Sequence, residues 1–149
     1  MADDTHERDF QGSFFSFELD GVEVAYFTGV SGLSLEYDVI NFKQTNGQMK
    51  NEIKRPGKPK YSEVVFKRGF TADDKLYKWF DEVLEAKDKP PYKTASIVIH
   101  DRTSAEVARF NLERCWPSKL SVSDLQAGSD EVMVEEVTIQ HELFTWVKK

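Results

Sequence analysis

Apolar and polar residues alternate with a period of two along much of this chain, and this alternation constrains its fold more than any other feature. The first alternating apolar residues are Phe15, Phe17 and Leu19, followed by Val22, Val24 and Tyr26. A period of two places every second side chain on one face of an extended strand. The intervening Asp20-Gly21 favours a tight turn, so the two stretches predict an antiparallel hairpin.

Further alternating segments predict more strands. They span residues 33–39, 61–68, 94–100, 106–116, 119–125 and 132–147. In the last segment the apolar phase shifts across Glu135-Glu136, which predicts a bulge or a bend between sheets.

One segment has helical spacing instead. Its apolar residues are Leu76, Trp79, Phe80, Val83 and Leu84, which we expect to face the core. Thr71 can cap this helix, Asp73 and Asp74 suit its first turn, and Pro90-Pro91 must lie beyond its end. The pattern predicts one amphipathic helix of about 14 residues.

These elements predict a single domain over residues 1–149, because single cores usually take roughly 100 to 200 residues. The hydrophobic fraction of 40% and the charged fraction of 31% are those of a folded globular chain. The predicted class is mainly β (α+β): a β-sandwich or barrel of about seven to eight strands with one flanking α-helix.

Residues 41–60 interrupt this pattern. The segment has little apolar periodicity and contains Asn46-Gly47 and Pro56-Gly57, so it predicts a long loop or an extended hairpin. Loops of this length inside compact domains are usually functional or disordered.

Charge is segregated along the chain although the net charge is only −6. Residues 1–40 contain nine acidic residues and one basic residue, whereas residues 41–70 contain two acidic and eight basic residues. A basic segment can bind nucleic acid, but the chain is acidic overall and Phe42 is the only aromatic residue in 41–60. An acidic patch on another copy is the more economical partner, and such head-to-tail contacts close into rings or extend as filaments.

No motif of a catalytic, metal or cofactor site is present. The chain lacks G-x-x-x-x-G-K-[ST] and G-x-G-x-x-G, and residues 29–33 (GVSGL) depart from the G-x-S-x-G nucleophile motif. His6, His100 and His141 have no metal-ligand spacing. The pair Glu135-Glu136 suits a solvated strand face. We therefore expect no enzymatic activity and no cofactor.

Cys115 is the only cysteine, so it cannot form an internal disulfide. A nucleophilic pair with His100 or His141 is conceivable, and a cysteine hydrolase is one rival hypothesis. A small buried side chain beside Trp116 is the simpler interpretation.

The acidic N-terminus lacks the features of a signal peptide, and no run approaches the roughly 20 apolar residues of a membrane span. Synthesis in the cytoplasm without a signal peptide, and no membrane insertion, are expected.

Several motifs occur in an order that resembles the phage tail tube protein family of contractile tails and contractile injection systems. The motifs are Gly29-Val30-Ser31-Gly32-Leu33 with Glu36, Pro56-Gly57-Lys58-Pro59-Lys60-Tyr61, Val64-Val65-Phe66-Lys67-Arg68-Gly69, Asp74 with Leu76 and Trp79, Cys115-Trp116-Pro117 with Lys119, and Glu131 to Glu142. Each motif alone is weak, whereas the ordered set is specific and covers nearly the whole chain.

The resemblance implies a tail-tube or Hcp-like fold and a structural inner tube subunit made in a bacterium. Six copies would form a ring, and stacked rings would form a hollow conduit for DNA or protein effectors inside a contractile sheath, as part of a virion tail or an injection particle. The implied partners are other copies, sheath subunits, baseplate or spike and tail-terminator proteins, and luminal cargo. A minor tube initiator at the baseplate end and a nucleic-acid-binding module remain alternatives.

In this family the region matching residues 41–60 contacts neighbouring subunits. The expected inter-subunit contacts are Lys43, Asn46, Gly47, Lys50, Lys54, Arg55, Pro56, Gly57, Lys58 and Lys60, with the bases facing acidic residues 1–40 of another copy. The expected lumen-facing residues are polar strand positions, namely Ser16, Glu18, Glu23, Ser34, Glu36 and Asp38.

Overall fold

The computed structural model describes residues 14–46, 49–70, 73–124, 126–128 and 132–148. The described part contains ten strands and one helix in chain order. The elements are β1 (Phe14–Leu19), β2 (Val22–Phe27), β3 (Gly29–Ser31), β4 (Leu35–Asn46), β5 (Met49–Tyr61), β6 (Val64–Gly69), α1 (Lys75–Glu85), β7 (Lys93–His100), β8 (Glu106–Val122), β9 (Val134–Gln140) and β10 (Leu143–Lys148).

Eight of these strands form one antiparallel sheet in the order β2-β1-β7-β8-β9-β6-β3, with β10 paired to β8. The strands at the two ends of this order, β2 and β3, are separated only by Thr28 in the chain. Its N–H donates to the carbonyl oxygen of Lys67 on β6, at 2.9 Å. The sheet therefore curves back on itself as a small barrel, and the predicted mainly β class with one helix is confirmed.

Strand β8 joins the two halves of the barrel. Its first part pairs with β7 and β10, and its last part pairs with β9. Two separate strands, 106–116 and 119–125, were expected there, and the structure has one continuous strand of 17 residues. The separation was wrong because Pro117 is accommodated at a register shift between Pro117 and Lys119, so the strand continues past it.

Aromatic rings fill the barrel. The Phe17 and Phe66 rings lie 4.9 Å apart between centroids, and the Phe27 and Phe66 rings lie 4.8 Å apart. Trp79 of α1 is 1% exposed and lies 6.3 Å from Phe17. Aromatic pairs at such separations add packing energy to their burial, so the helix is held against the barrel by a continuous aromatic core.

Helix α1 has 11 residues, shorter than expected, and begins after Asp74, which makes no side-chain capping bond. Leu76 and Trp79 are buried, and Phe80 packs at the edge of the core. Leu84 is 79% exposed, so its assignment to the core was wrong: it lies at the last turn of the helix, which ends at Glu85. Thr71, the expected cap, lies outside the described residues.

Strand β9 runs unbroken through Glu135 and Glu136, so the bend expected there was wrong. Glu135 is only 7% exposed and accepts a 2.8 Å hydrogen bond from Nε of Arg68 on β6. Glu135 was expected on a solvated strand face, and this was wrong because its ion pair with Arg68 lets it occupy an inward position, which explains the shift in the apolar phase. The chain turns instead at His141 and Glu142, between β9 and β10.

Candidate functional site

Strands β4 and β5 pair with each other in a separate two-stranded sheet, here called the ribbon. They contain 12 and 13 residues, so the ribbon is about 40 Å long at 3.3 Å per residue. Short segments, 32–34 and 62–63, connect the ribbon to the barrel. Residues 41–46 and 49–60 thus form paired strands, the extended hairpin of the two expected alternatives.

Glycine makes the ribbon possible at two points. At Gly32, φ is +88° and a Cβ atom would lie 1.9 Å from the carbonyl oxygen of Glu63. At Gly57, a Cβ atom would lie 2.8 Å from the carbonyl oxygen of Asp38, where the strand register shifts. No other residue type fits either close approach without displacement of the backbone.

The distal half of the ribbon has an apolar face. Phe42 lies opposite Ile53, and Ile40 lies opposite Arg55, so these four residues share one face. Ile40 is 44% exposed and Phe42 is 46% exposed. The guanidinium carbon of Arg55 lies 5.3 Å from the centroid of the Phe42 ring, a cation–π contact.

The opposite face of the distal ribbon is polar and charged. Asn41 lies opposite Lys54, and Lys43 lies opposite Glu52. All four residues are exposed. The distal ribbon is therefore amphipathic, although both strands pair only with each other. Two-stranded hairpins are marginally stable alone in water, and no other described strand pairs with this ribbon.

The structure places the expected contact residues along this ribbon. Lys43, Lys54, Arg55, Pro56, Lys58 and Lys60 are exposed, and Gly57 is half-buried. Asn46 and Lys50 lie opposite Met49 and Thr45 near the tip, and Gly47 lies outside the described residues. Lys60 already has a partner in its own chain, because its Nζ lies 2.8 Å from a carboxylate oxygen of Asp38.

The expected lumen residues fall into two groups. Ser16, Glu18 and Glu23 share the face of the β1–β2 pair that points away from the core. Ser34, Glu36 and Asp38 lie instead at the base of the ribbon or on β4. The structure therefore does not bring all six together.

The β1–β2 face continues across β7 and β8 as a polar sheet face. Arg109 donates hydrogen bonds to Glu18 at 2.7 Å and to Glu106 at 2.8 Å. Both carboxylates raise the pKa of the Arg109 guanidinium, Glu106 more than Glu18. Ser96 donates to Asn111 at 2.8 Å. The charged and polar groups of this face thus bind one another across neighbouring strands.

Sequence reasoning named only part of this polar face. Arg109, Asn111 and Ser96 were missed, although each alternates with buried residues on its strand. Ser16 is only 1% exposed and lies 2.8 Å from Nε2 of His100, so its exposure was wrongly expected. The alternation of apolar and polar residues identifies the polar face of the strand correctly. Whether a residue of that face, such as Ser16, is exposed depends on the side chains that lie over it from neighbouring strands.

The polar sheet face ends at two strand edges. In the described chain, β2 pairs only with β1, and β10 pairs only with β8. These two edges lie at opposite ends of the strand order β2-β1-β7-β8-β10. Such edges present unpaired backbone groups to any strand that can join them.

A family model described as the T4-like virus tail tube protein gp19 matches residues 11–145. The chain belongs to this tail tube family. It is a structural tube subunit, and the resemblance read from its motifs is confirmed.

Solved structures have the same fold as this tube subunit. A chain of the PVC sheath–tube complex, an extracellular contractile injection system in its extended state, is 20% identical with a TM-score of 0.76, covering 91% of this chain and 88% of that chain. A chain of the anti-feeding prophage tube terminating cap is 21% identical with a TM-score of 0.76, covering 91% and 88%. The Hcp1 protein from the E. coli EAEC 042 pathovar is 14% identical with a TM-score of 0.53, covering 91% and 90%. No curated protein sequence matches this chain.

The only thiol of the tube subunit is inaccessible to solvent. Cys115 is fully buried, and this burial raises the pKa of its thiol to about 12. The histidines proposed as its partners bind elsewhere: His100 contacts Ser16, and His141 donates to the carbonyl oxygen of Ser62. A thiol that stays protonated is a poor nucleophile, so this arrangement does not favour the hydrolase hypothesis.

Within the residues that the structure describes, no group of three or more His, Cys, Asp or Glu side chains is placed to hold a metal ion. Over the same residues, no helix has the length and apolarity needed to cross a membrane.

Proposed function

We propose that six copies of this tube subunit form a ring, and that stacked rings form a hollow conduit for DNA or protein effectors. The observation that carries this proposal is the amphipathic ribbon, whose apolar face of Ile40, Phe42 and Ile53 is not covered by any other described strand. Another copy supplies that cover. The ribbon residues expected as inter-subunit contacts then lie at the junction between copies.

The unpaired edges of β2 and β10 in the described chain support the proposed ring. An edge at β2 of one copy can pair with the edge at β10 of the next, in a head-to-tail contact between two different surfaces. Repeated contacts of this kind close into a ring if the rotation per copy fits, and closure leaves no edge exposed. The whole chain acts as a single tail-tube domain in this arrangement.

The polar sheet face supports a lumen lining. Glu18, Glu23 and the paired Arg109 lie on this face, and Glu18 is neutralised by Arg109 at 2.7 Å. A polar lining in which Glu18 and Arg109 neutralise each other offers few strong contacts to a passing cargo. Ser34, Glu36 and Asp38 belong to the ribbon side and are better candidates for contacts between copies.

The tube is a passive, non-enzymatic conduit, so the energy for injection comes from other components. Its proposed partners are sheath subunits, baseplate or spike and tail-terminator proteins, and luminal cargo. The similar folds in a sheath–tube complex, a tube terminating cap and a baseplate support the sheath, terminator and baseplate partners. The subunit is made in the bacterial cytoplasm and becomes part of a virion tail or an injection particle.

Negative-stain electron microscopy of the purified protein tests this function. We expect six-fold rings and stacked hollow tubes as the protein is concentrated. A protein that stays monomeric across the concentration range would contradict the proposal.

A further inference from the structure

One histidine of the barrel binds the base of the ribbon. His141 lies at the turn between β9 and β10, and its Nε2 donates a 2.9 Å hydrogen bond to the carbonyl oxygen of Ser62. Ser62 is the first residue after the ribbon. This bond therefore joins the ribbon base to a distant corner of the barrel, 79 residues further along the chain.

Aromatic packing reinforces this bond. The His141 ring lies 5.8 Å from the ring of Tyr61, the last ribbon residue, and 6.0 Å from the ring of Phe144. The Tyr61 and Phe144 rings lie 5.3 Å apart and nearly perpendicular. Three rings from the ribbon, the β9–β10 turn and β10 thus form one cluster.

Only two other side-chain bonds lie at this base in the described chain. Ser34 and Ser62 share a 2.7 Å hydrogen bond between their hydroxyl oxygens, and Gln140 donates to Glu63 at 2.9 Å. Ser34, Ser62 and Glu63 are exposed. The His141 bond is exposed as well, and it differs from these two because the His141 ring also packs against Tyr61 and Phe144.

The His141 ring is held in one tautomer. The Ser62 carbonyl oxygen can only accept, so Nε2 must carry the proton. Nδ1 is buried and has no hydrogen-bond partner within the described residues. A neutral ring with an unprotonated Nδ1 satisfies both observations.

We propose that His141 is a positioning residue that fixes the angle between the ribbon and the barrel. This inference rests on the proposed function, in which the ribbon must reach another copy. Because the ribbon is about 40 Å long, an error of about 10° at its base moves its tip by about 7 Å, more than the spacing of two neighbouring strands. A fixed angle therefore decides whether the apolar face meets its partner.

Nitrogen NMR of wild-type protein at pH 8 tests the bond without any substitution. We expect the His141 ring to carry its proton on Nε2 and to have a bare Nδ1. A ring whose only proton is on Nδ1 could not donate to Ser62, and that result would overturn the proposal.

Distance measurements between two spin labels test the angle. Lys54→Cys on the ribbon and Arg102→Cys on the barrel provide exposed labelling sites, while the native Cys115 is buried. The labelled protein is diluted into unlabelled protein so that only distances within one chain are measured. His141→Phe keeps a ring but loses the donor, whereas His141→Gln keeps an N–H donor.

We expect His141→Phe to broaden the distance distribution and to raise the critical concentration for tube assembly about fivefold, the equivalent of one hydrogen bond. His141→Gln should restore both. His100→Phe, which removes a histidine bond to Ser16 away from the ribbon, is the control and should leave the distances unchanged. An unchanged distribution in His141→Phe, or no rescue by His141→Gln, would overturn the proposal. The distances are measured within one chain, so they remain decisive even if the wild type builds no tubes, which would refute the proposed function separately.

Discussion

Lys60 and Asp38 form an ion pair across the ribbon, with Nζ 2.8 Å from the carboxylate oxygen. The acidic first segment and the basic second segment of the sequence therefore meet within one chain. Both side chains are largely exposed, and exposed ion pairs contribute little stability. Part of the segregated charge is thus neutralised within the subunit. Lys43, Lys54 and Lys58 are among the ribbon bases that form no ion pair with another described residue.

Reversal of these three bases should impair assembly rather than folding. We expect the combined Lys43→Glu, Lys54→Glu and Lys58→Glu variant to melt within a few degrees of the wild type, because exposed charges change stability by about 0.5 kcal/mol or less. Tube yield, measured by pelleting, should fall at least tenfold. The matched control reverses Lys75, Lys87 and Lys89 around α1. Normal tubes from the ribbon variant would refute the expected contact with acidic residues of another copy.

The apolar face of the ribbon should matter for assembly as well. Ile40→Ser and Phe42→Ser together remove exposed apolar surface that gains its energy only when another copy covers it. We expect normal circular dichroism and melting, but tube formation only at a concentration more than tenfold higher. Asn41→Ser, on the opposite face between the two sites, is the control and should assemble normally. Equal assembly by both variants would show that this face is not an interface.

The sequence predicted the barrel better than the ribbon, and the reason is physical. Alternation such as Phe15, Phe17 and Leu19 reports a strand that is buried on one face, as in β1. On the ribbon, Phe42 and Ile53 share a face only because β4 and β5 pair in one register, which the spacing within either strand does not reveal. Arg68 likewise forms a buried ion pair with Glu135, and because β6 and β9 are far apart in the sequence, no local pattern predicts this pair.

The glycine at the base of the ribbon should be irreplaceable. Gly32→Ala combines a positive φ with a Cβ atom 1.9 Å from the Glu63 carbonyl oxygen, so the backbone must move. We expect a loss of more than about 3 kcal/mol in the free energy of unfolding, measured with urea. Gly21→Ala is the matched control, because φ there is +82° and no atom lies within 4 Å of the added Cβ. It should lose only about 1 to 2 kcal/mol, and equal losses would contradict the steric explanation.

The buried thiol predicts a pH dependence with a definite sign. The folded protein keeps the Cys115 proton up to a pKa of about 12, above the ordinary value of 9.0 that applies after unfolding. Between these values the unfolded state binds fewer protons, so this thiol's contribution to stability is complete below pH 9 and is lost as pH rises towards 12. Urea titrations of wild type and Cys115→Ala should differ less as pH rises through this window. A difference that stays constant, or native labelling of Cys115 by thiol reagents at pH 8 as fast as in urea, would contradict this burial.

We expect the ribbon of each copy to lie on another copy. A cryo-EM reconstruction of tubes assembled from the purified protein tests it most directly. We predict six-fold rings in which the face of Ile40, Phe42 and Ile53 is buried against a different subunit, with the polar sheet face towards the lumen. Tubes in which this face points into solvent, or packs against the barrel of its own subunit, would show that the ribbon does not bind another copy.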